Sequence, residues 1–306
     1  MSEAVLDRVA AGAPSEAAPA RGLRNPWRRP WGLAAVTYGY LAWSILPVVI
    51  AVIFSFNAGR SRSTWQGFSL RWWTQDPFNS LFNDPSLRSA MFQSLRLSVI
   101  TVAIAVPLGT AFAIGIDRWH GRPARGSNFL MLLSFVVPEM ILGVSLFLLF
   151  TQLLNGLGLQ GTPAQILGLV TFQMSYSVVI VRARMLSIGP EYEEAAMDLG
   201  ATPSRSIRRV LLPLLTPAIL ASVAVVFADS IDNFVIVRYL SASADSEPLS
   251  VKIYSAARGS PTPAVNAAAT VLLVATVSVV VIGYLLYRAF SKGQRDSDVA
   301  SFASQV

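Results

Sequence analysis

Six apolar stretches constrain this chain more than any other feature. They run approximately over 33–56, 90–116, 128–154, 163–181, 214–237 and 264–290. Each is close to the roughly 20 residues that a helix needs to cross about 30 Å of hydrocarbon. Lipid offers no partner to a free backbone N–H or C=O, so every stretch is expected to be helical and the chain an all-α polytopic membrane protein. Only 13% of its residues are charged, against roughly 25% in soluble domains, which agrees with lipid as the solvent. The first stretch is longer than the roughly 7–15 apolar residues of a signal peptide and lacks a small-residue cleavage site, so it is expected to stay in the chain.

Six alternating passes put both ends on one side, and the basic residues say which. With the termini inside, sixteen of the 24 lysines and arginines fall in cytoplasmic segments, so the orientation is N-in, C-in. Residues 1–32, rich in Ala, Pro, Glu and Arg, read as a cytoplasmic tail ending in an Arg28-Arg29 anchor. Residues 33–290 read as the membrane domain and 291–306 as a short cytoplasmic tail. The net charge of +7 does not point to nucleic acid, because the basic residues sit between apolar runs and not on one polar face. With no cysteine and a single histidine, His120, the chain has no means of building a disulfide framework, a thiol nucleophile or a structural zinc site.

The cytoplasmic loop 186–212 is patterned like a small adaptor. Pro190 followed by Glu191, Glu193 and Glu194 suits a helix N-terminus, where the dipole favours carboxylates, and Gly200 suits the stop. Thr202-Pro203 offers an N-cap and first position for a second short helix leading into the fifth span. On the first helix Tyr192, Ala195, Ala196 and Leu199 form a narrow apolar stripe, with Glu191, Glu194 and Asp198 on an adjacent acidic face. Glu194-Ala195-Ala196, then three residues, Gly200, nine residues, Val210, one residue and Leu212-Pro213 resembles the EAA loop of ABC importer permeases, with Val210 in place of the usual isoleucine.

That resemblance implies an all-α, six-helix type I importer permease (MetI-like) fold in a bacterial inner membrane. It makes Glu194, Ala195, Ala196, Asp198, Gly200, Leu212 and Pro213 the segment that docks on a separate ATPase. The sequence agrees that hydrolysis lies elsewhere: a nucleotide loop needs Gly-Lys-Ser/Thr, and the two lysines, Lys252 and Lys292, follow Val251 and Ser291. No cofactor is expected on this chain, with ATP and magnesium on the partner.

Three acids stand inside the spans: Glu139 in the third, Asp229 and Asp232 in the fifth. At about 2.5–3.5 kcal/mol each on insertion scales, together they would cost on the order of 8–10 kcal/mol. Counting about 1.5 Å per residue places Glu139 near the midplane. Asp229, Asp232 and Asn233 read as one face of the fifth helix, and Pro138 before Glu139 is expected to break the third, as in transport pathways. Two roles are open to these acids: a path for a cation, with Tyr176 and Gln173 as wall residues, or packing through pairing with each other or with Arg238 or Arg96.

A second resemblance covers most of the chain from Phe54 onward. Phe54-Ser-Phe-Asn57, Trp65-Gln-Gly-Phe-Ser-Leu-Arg-Trp-Trp73, Leu249-Ser-Val-Lys-Ile-Tyr-Ser255, Pro261-Thr-Pro-Ala-Val-Asn-Ala267, Ser230-Ile-Asp-Asn-Phe234 and Pro138-Glu139 resemble the permease subunits of spermidine/putrescine transporters, with Asn233 in place of a second acid. It implies a polyamine cargo, a second, non-identical permease subunit, two copies of a cytoplasmic ATPase, and an extracytoplasmic binding protein received by the aromatic loop around Trp65–Trp73. Other cargo stays open (another organic cation, a thiamine-like compound, a metal chelate), as does a channel or secondary carrier. A membrane enzyme has no metal or nucleophile constellation to stand on.

Overall fold

The computed structural model describes residues 31–303 apart from 62, 119–125, 130, 132, 134, 135, 260 and 261, with side chains to residue 288. Residues 1–30 of the tail expected over 1–32, His120 and Pro261 lie outside the described residues, and Trp31 and Gly32 open the first helix.

The described residues up to Ile50 form a unit of their own, in which most of α1 (Trp31–Phe54) stands without a buried side chain. The second unit holds α2 (Pro85–Arg118), α3 (Glu139–Leu148), α4 (Thr162–Ile188), α5 (Glu191–Asp198), α6 (Pro203–Ser206), α7 (Leu212–Asp232), α8 (Val235–Leu240), α9 (Leu249–Arg258) and α10 (Pro263–Ala303). The described residues contain no strand beyond one isolated bridge, Asn57 to Phe68. Among the described residues five helices are long and apolar enough to cross a membrane, and a shorter apolar stretch, Glu139–Leu153, accompanies them.

The shorter stretch is the outer half of the third span. Its backbone is helical over 126–129, leaves the helix at Val137 and Pro138, and restarts at Glu139. Proline lacks an N–H and disfavours the α region at the residue before it, so the break falls where Pro138 places it. The fifth span departs from expectation at both ends. Instead of running on to Val237, it stops at Asp232; Asn233 takes φ −52° and ψ 124°, and the helix resumes at Val235. At its base the second adaptor helix is continuous with it, giving one rod, Pro203–Asp232. The rod widens to a π-turn over Ile207–Leu211 just ahead of Pro213, which has no N–H to give to a carbonyl one turn back. Likewise α10 passes residue 290 and stays helical to Ala303.

α2, α4 and α7 pack on one another, α10 lies against α7, and α8 against α3. Close approach is built in at Gly109: a Cβ there would meet the Ser177 Cβ at 2.6 Å and the Met174 carbonyl at 2.9 Å. Small residues at such crossings let membrane helices reach dispersion contact. Buried amides then tie the elements together. Gln93 Nε2 donates to Thr162 Oγ1 (2.8 Å) and Gln165 Oε1 (3.0 Å), while Gln165 Nε2 donates to Ser241 Oγ (2.9 Å) and the Ser246 carbonyl (2.8 Å). An unpaired amide in an apolar interior is costly, so this satisfied chain fixes how α2, α4 and the segment after α8 meet.

Candidate functional site

The two broken spans meet at one contact. Asn233 Nδ2 donates to Glu139 Oε1, joining the start of α3 to the end of α7. Asn233 Oδ1 accepts the Ile236 N–H at 3.2 Å and so caps α8, and its carbonyl accepts from Ser250 Oγ at 2.7 Å. Asparagine favours such a cap over a mid-helix position, which explains the break and overturns the expectation that Asn233 extends a helical face from Asp229. One turn below, Gln173 Nε2 of α4 donates to Asp229 Oδ2. Tyr176, one turn along α4, packs between the core around Leu169 and Ile236 and the core around Val106 and Val226, with its ring edge-on to Phe172 at 5.7 Å. Asp232 is exposed and lines a cleft of about 580 Å³ with Phe234, Ser250 and Tyr254. The structure thus brings Glu139 to Asn233 and Asp229 to Gln173, and turns Asp232 towards α9 and α10.

Among the described residues no lysine or arginine pairs with any of the three acids. Arg238, a partner considered from the sequence, lies instead 3.6 Å from Glu247, which Lys252 approaches at 3.2 Å.

The adaptor loop folds as two helical pieces about Gly200. Tyr192, Glu194, Ala195, Met197, Asp198 and Leu199 are exposed, Leu199 to 90%, whereas Ala196 is half-buried. Leu212 is half-buried and Pro213 exposed at the base of α7. Thr202 holds the extended backbone of an N-cap but makes no side-chain cap; its hydroxyl meets Ser204 Oγ at 3.4 Å. The acid that sequence reasoning passed over is Glu193, only 7% exposed, whose carboxylate takes the Arg118 guanidinium at the end of α2.

Residues 105–296 match the family described as binding-protein-dependent transport system inner membrane component. The chain belongs to that family. Relatives include the putrescine transport system permease protein PotI of Escherichia coli (strain K12), 34% identical over 281 residues, 90% of this chain and 95% of that one. The spermidine/putrescine transport system permease protein PotC of the same strain is 32% identical over 86% of this chain and 95% of its own. Among solved structures, a bacterial ABC transporter involved in import of the acidic polysaccharide alginate matches with TM-score 0.68 and 18% identity, over 85% of this chain and 96% of that one. The permease therefore has the type I importer (MetI-like) fold and is a multi-pass inner-membrane protein.

In the permease's loop between the first two spans, the aromatic residues do different jobs. Trp72 is fully buried, its Nε1 donating to the Asn57 carbonyl at 2.8 Å, so within the Trp65–Trp73 stretch it belongs to the core. Phe56 stacks on Phe68 (5.4 Å) and Trp73 (5.3 Å), and Phe68 and Trp65 are exposed. Asp76 organises the following turn. Its carboxylate accepts the backbone N–H groups of Asn79 (2.9 Å) and Phe78 (3.1 Å) and pairs with Arg71 (3.2 Å). Those bonds, the Asn79 N–H foremost, hold its pKa below the ordinary 3.8. A depressed folded value means that the stability it contributes is complete above the unfolded value and is lost as pH falls through the folded one. Tryptophan emission should therefore shift to the red on acidification below the ordinary carboxylate range, and Asp76→Asn should remove that step.

Proposed function

We propose that the permease forms half of the path by which an ATP-driven importer takes up a polyamine, together with a second, non-identical permease subunit. Two copies of a cytoplasmic ATPase, carrying ATP and magnesium, drive it through the exposed face of α5, and an extracytoplasmic binding protein delivers the cargo. This chain holds no cofactor. The observation that carries the reading is how its membrane acids are held: Glu139 by the Asn233 amide and Asp229 by the Gln173 amide, with Asp232 facing a cleft. Neutral amides orient a carboxylate without cancelling its charge, so the charge is left for a cation that arrives from outside. The full-length similarity to putrescine and spermidine/putrescine permeases supports a di- or triamine over other cations.

The test is ATP-dependent uptake of radiolabelled putrescine and spermidine by proteoliposomes containing the permease with its partner subunits and binding protein. Uptake of either amine is expected, and Glu139→Gln or Asp229→Asn should reduce it at least about tenfold, in the range of ordinary coupling energies. Uptake of an uncharged or anionic solute in place of both amines would refute the cargo assignment.

A further inference from the structure

α5 is an inverted amphipathic helix. Its apolar residues Tyr192 and Met197, and Leu199 at its C-cap, face solvent, and the one residue it buries is an acid, Glu193. Glutamate is rarely buried unless paired, and here the pairing runs to Arg118, the last residue of α2, a guanidinium also held by Asp117 at 3.1 Å. The Glu193 carbonyl in turn lies 3.5 Å from Ser206 Oγ, a buried hydroxyl at the foot of the fifth span. One residue of α5 thus reaches two spans, by its side chain α2 and by its backbone the rod of α6 and α7. α2 is itself locked to α4 at Gly109.

We propose that the Glu193–Arg118 ion pair is the joint that carries movement of α5 into the second span. Glu193 and Arg118 are positioning residues in this scheme. The exposed residues Tyr192, Glu194 and Leu199 would meet the ATPase, while Glu193 on the opposite side transmits what they receive. The inference rests on the reading of α5 as the ATPase-docking helix, and it adds an output beside the covalent ones into the fourth and fifth spans. Breaking a partly buried pair leaves one charge without its partner, so the contact should loosen when either side is neutralised.

ATP hydrolysis and putrescine uptake are to be measured in parallel on the assembled transporter in proteoliposomes. Glu193→Gln and Arg118→Gln should each keep hydrolysis within about twofold of wild type while uptake falls about tenfold, the size of an ordinary coupling term. The exchanged pair, Arg118→Glu with Glu193→Arg, should recover most of the lost uptake. A merely structural role would lower both activities in proportion and leave their ratio unmoved, and that result, unchanged uptake in Glu193→Gln, or no recovery in the exchanged pair would overturn the proposal. Glu194→Arg separates the two readings: wild-type hydrolysis and uptake in that variant would sink the docking assignment, and the joint with it.

Discussion

Gly200→Pro is expected to reduce ATP-driven uptake to background while the chain accumulates in the membrane at its normal level. Gly200 has φ +87°, and no atom lies within 4 Å of where its Cβ would be. Its N–H donates to the Met197 carbonyl at 2.9 Å, and the Ala201 N–H reaches back to Ala196 at 3.0 Å, closing α5 with the paired bonds of a left-handed glycine stop. Proline has no N–H and holds φ near −65°, so it removes one of those bonds and forbids the turn. With the space empty, backbone conformation alone sets the order of milder variants. Alanine should cost about 1–2 kcal/mol for the left-handed residue, and asparagine, which tolerates that region, less. Uptake should fall in the order Gly, Asn, Ala, Pro, with membrane content checked by immunoblot. A proline variant transporting at the wild-type rate would show that the angle between α5 and the fifth span is irrelevant to coupling.

The second large effect is expected at Asn233. Asn233→Leu removes the donor to Glu139 and the cap on α8 together. A lost N-cap costs about 1 kcal/mol, and a lost hydrogen bond to a charged group about 1.5–3 kcal/mol. A combined loss of about 3 kcal/mol would lower the midpoint of thermal unfolding by roughly 5 °C in a chain of 306 residues. Uptake should fall with it, because the two broken spans would no longer meet. Scanning fluorimetry in detergent measures the first and vesicle uptake the second. Retention of both in Asn233→Leu would mean that the Glu139 contact neither holds the helices nor shapes the path.

Much of this architecture follows from residues read along the chain. Lipid forces apolar runs of span length to be helical, so their number and rough limits need no tertiary information, and Pro138 marks a place where a helix can break, although Pro47, Pro107 and Pro217 sit inside unbroken ones. Gly200 and Pro203 are backbone instructions of the same local kind. What stayed hidden depends on partners distant in sequence. Asn233 follows two acids in an apolar run and looks like one more polar residue on a helical face; only Glu139, 94 residues away, and the free N–H of Ile236 make it a cap. Glu193 stands among other acids at a helix start, where the dipole explains all of them equally, and nothing nearby marks it as the one that turns inward to Arg118. Gln93 and Gln165 are single amides in long spans, a signal that polar contacts exist but not with whom.

The continuous run Pro203–Asp232 has one more consequence. Thirty residues at about 1.5 Å each make a continuous helical member of about 45 Å, with the Gly200 turn ahead of one extremity and Asn233 just past the other. Were it to swing by about 5°, the far tip would travel about 4 Å, more than the length of a hydrogen bond. A small displacement at the cytoplasmic foot therefore suffices to prise Asn233 from Glu139, so that a lever arm of this reach can open the contact at depth with no relay of side chains between.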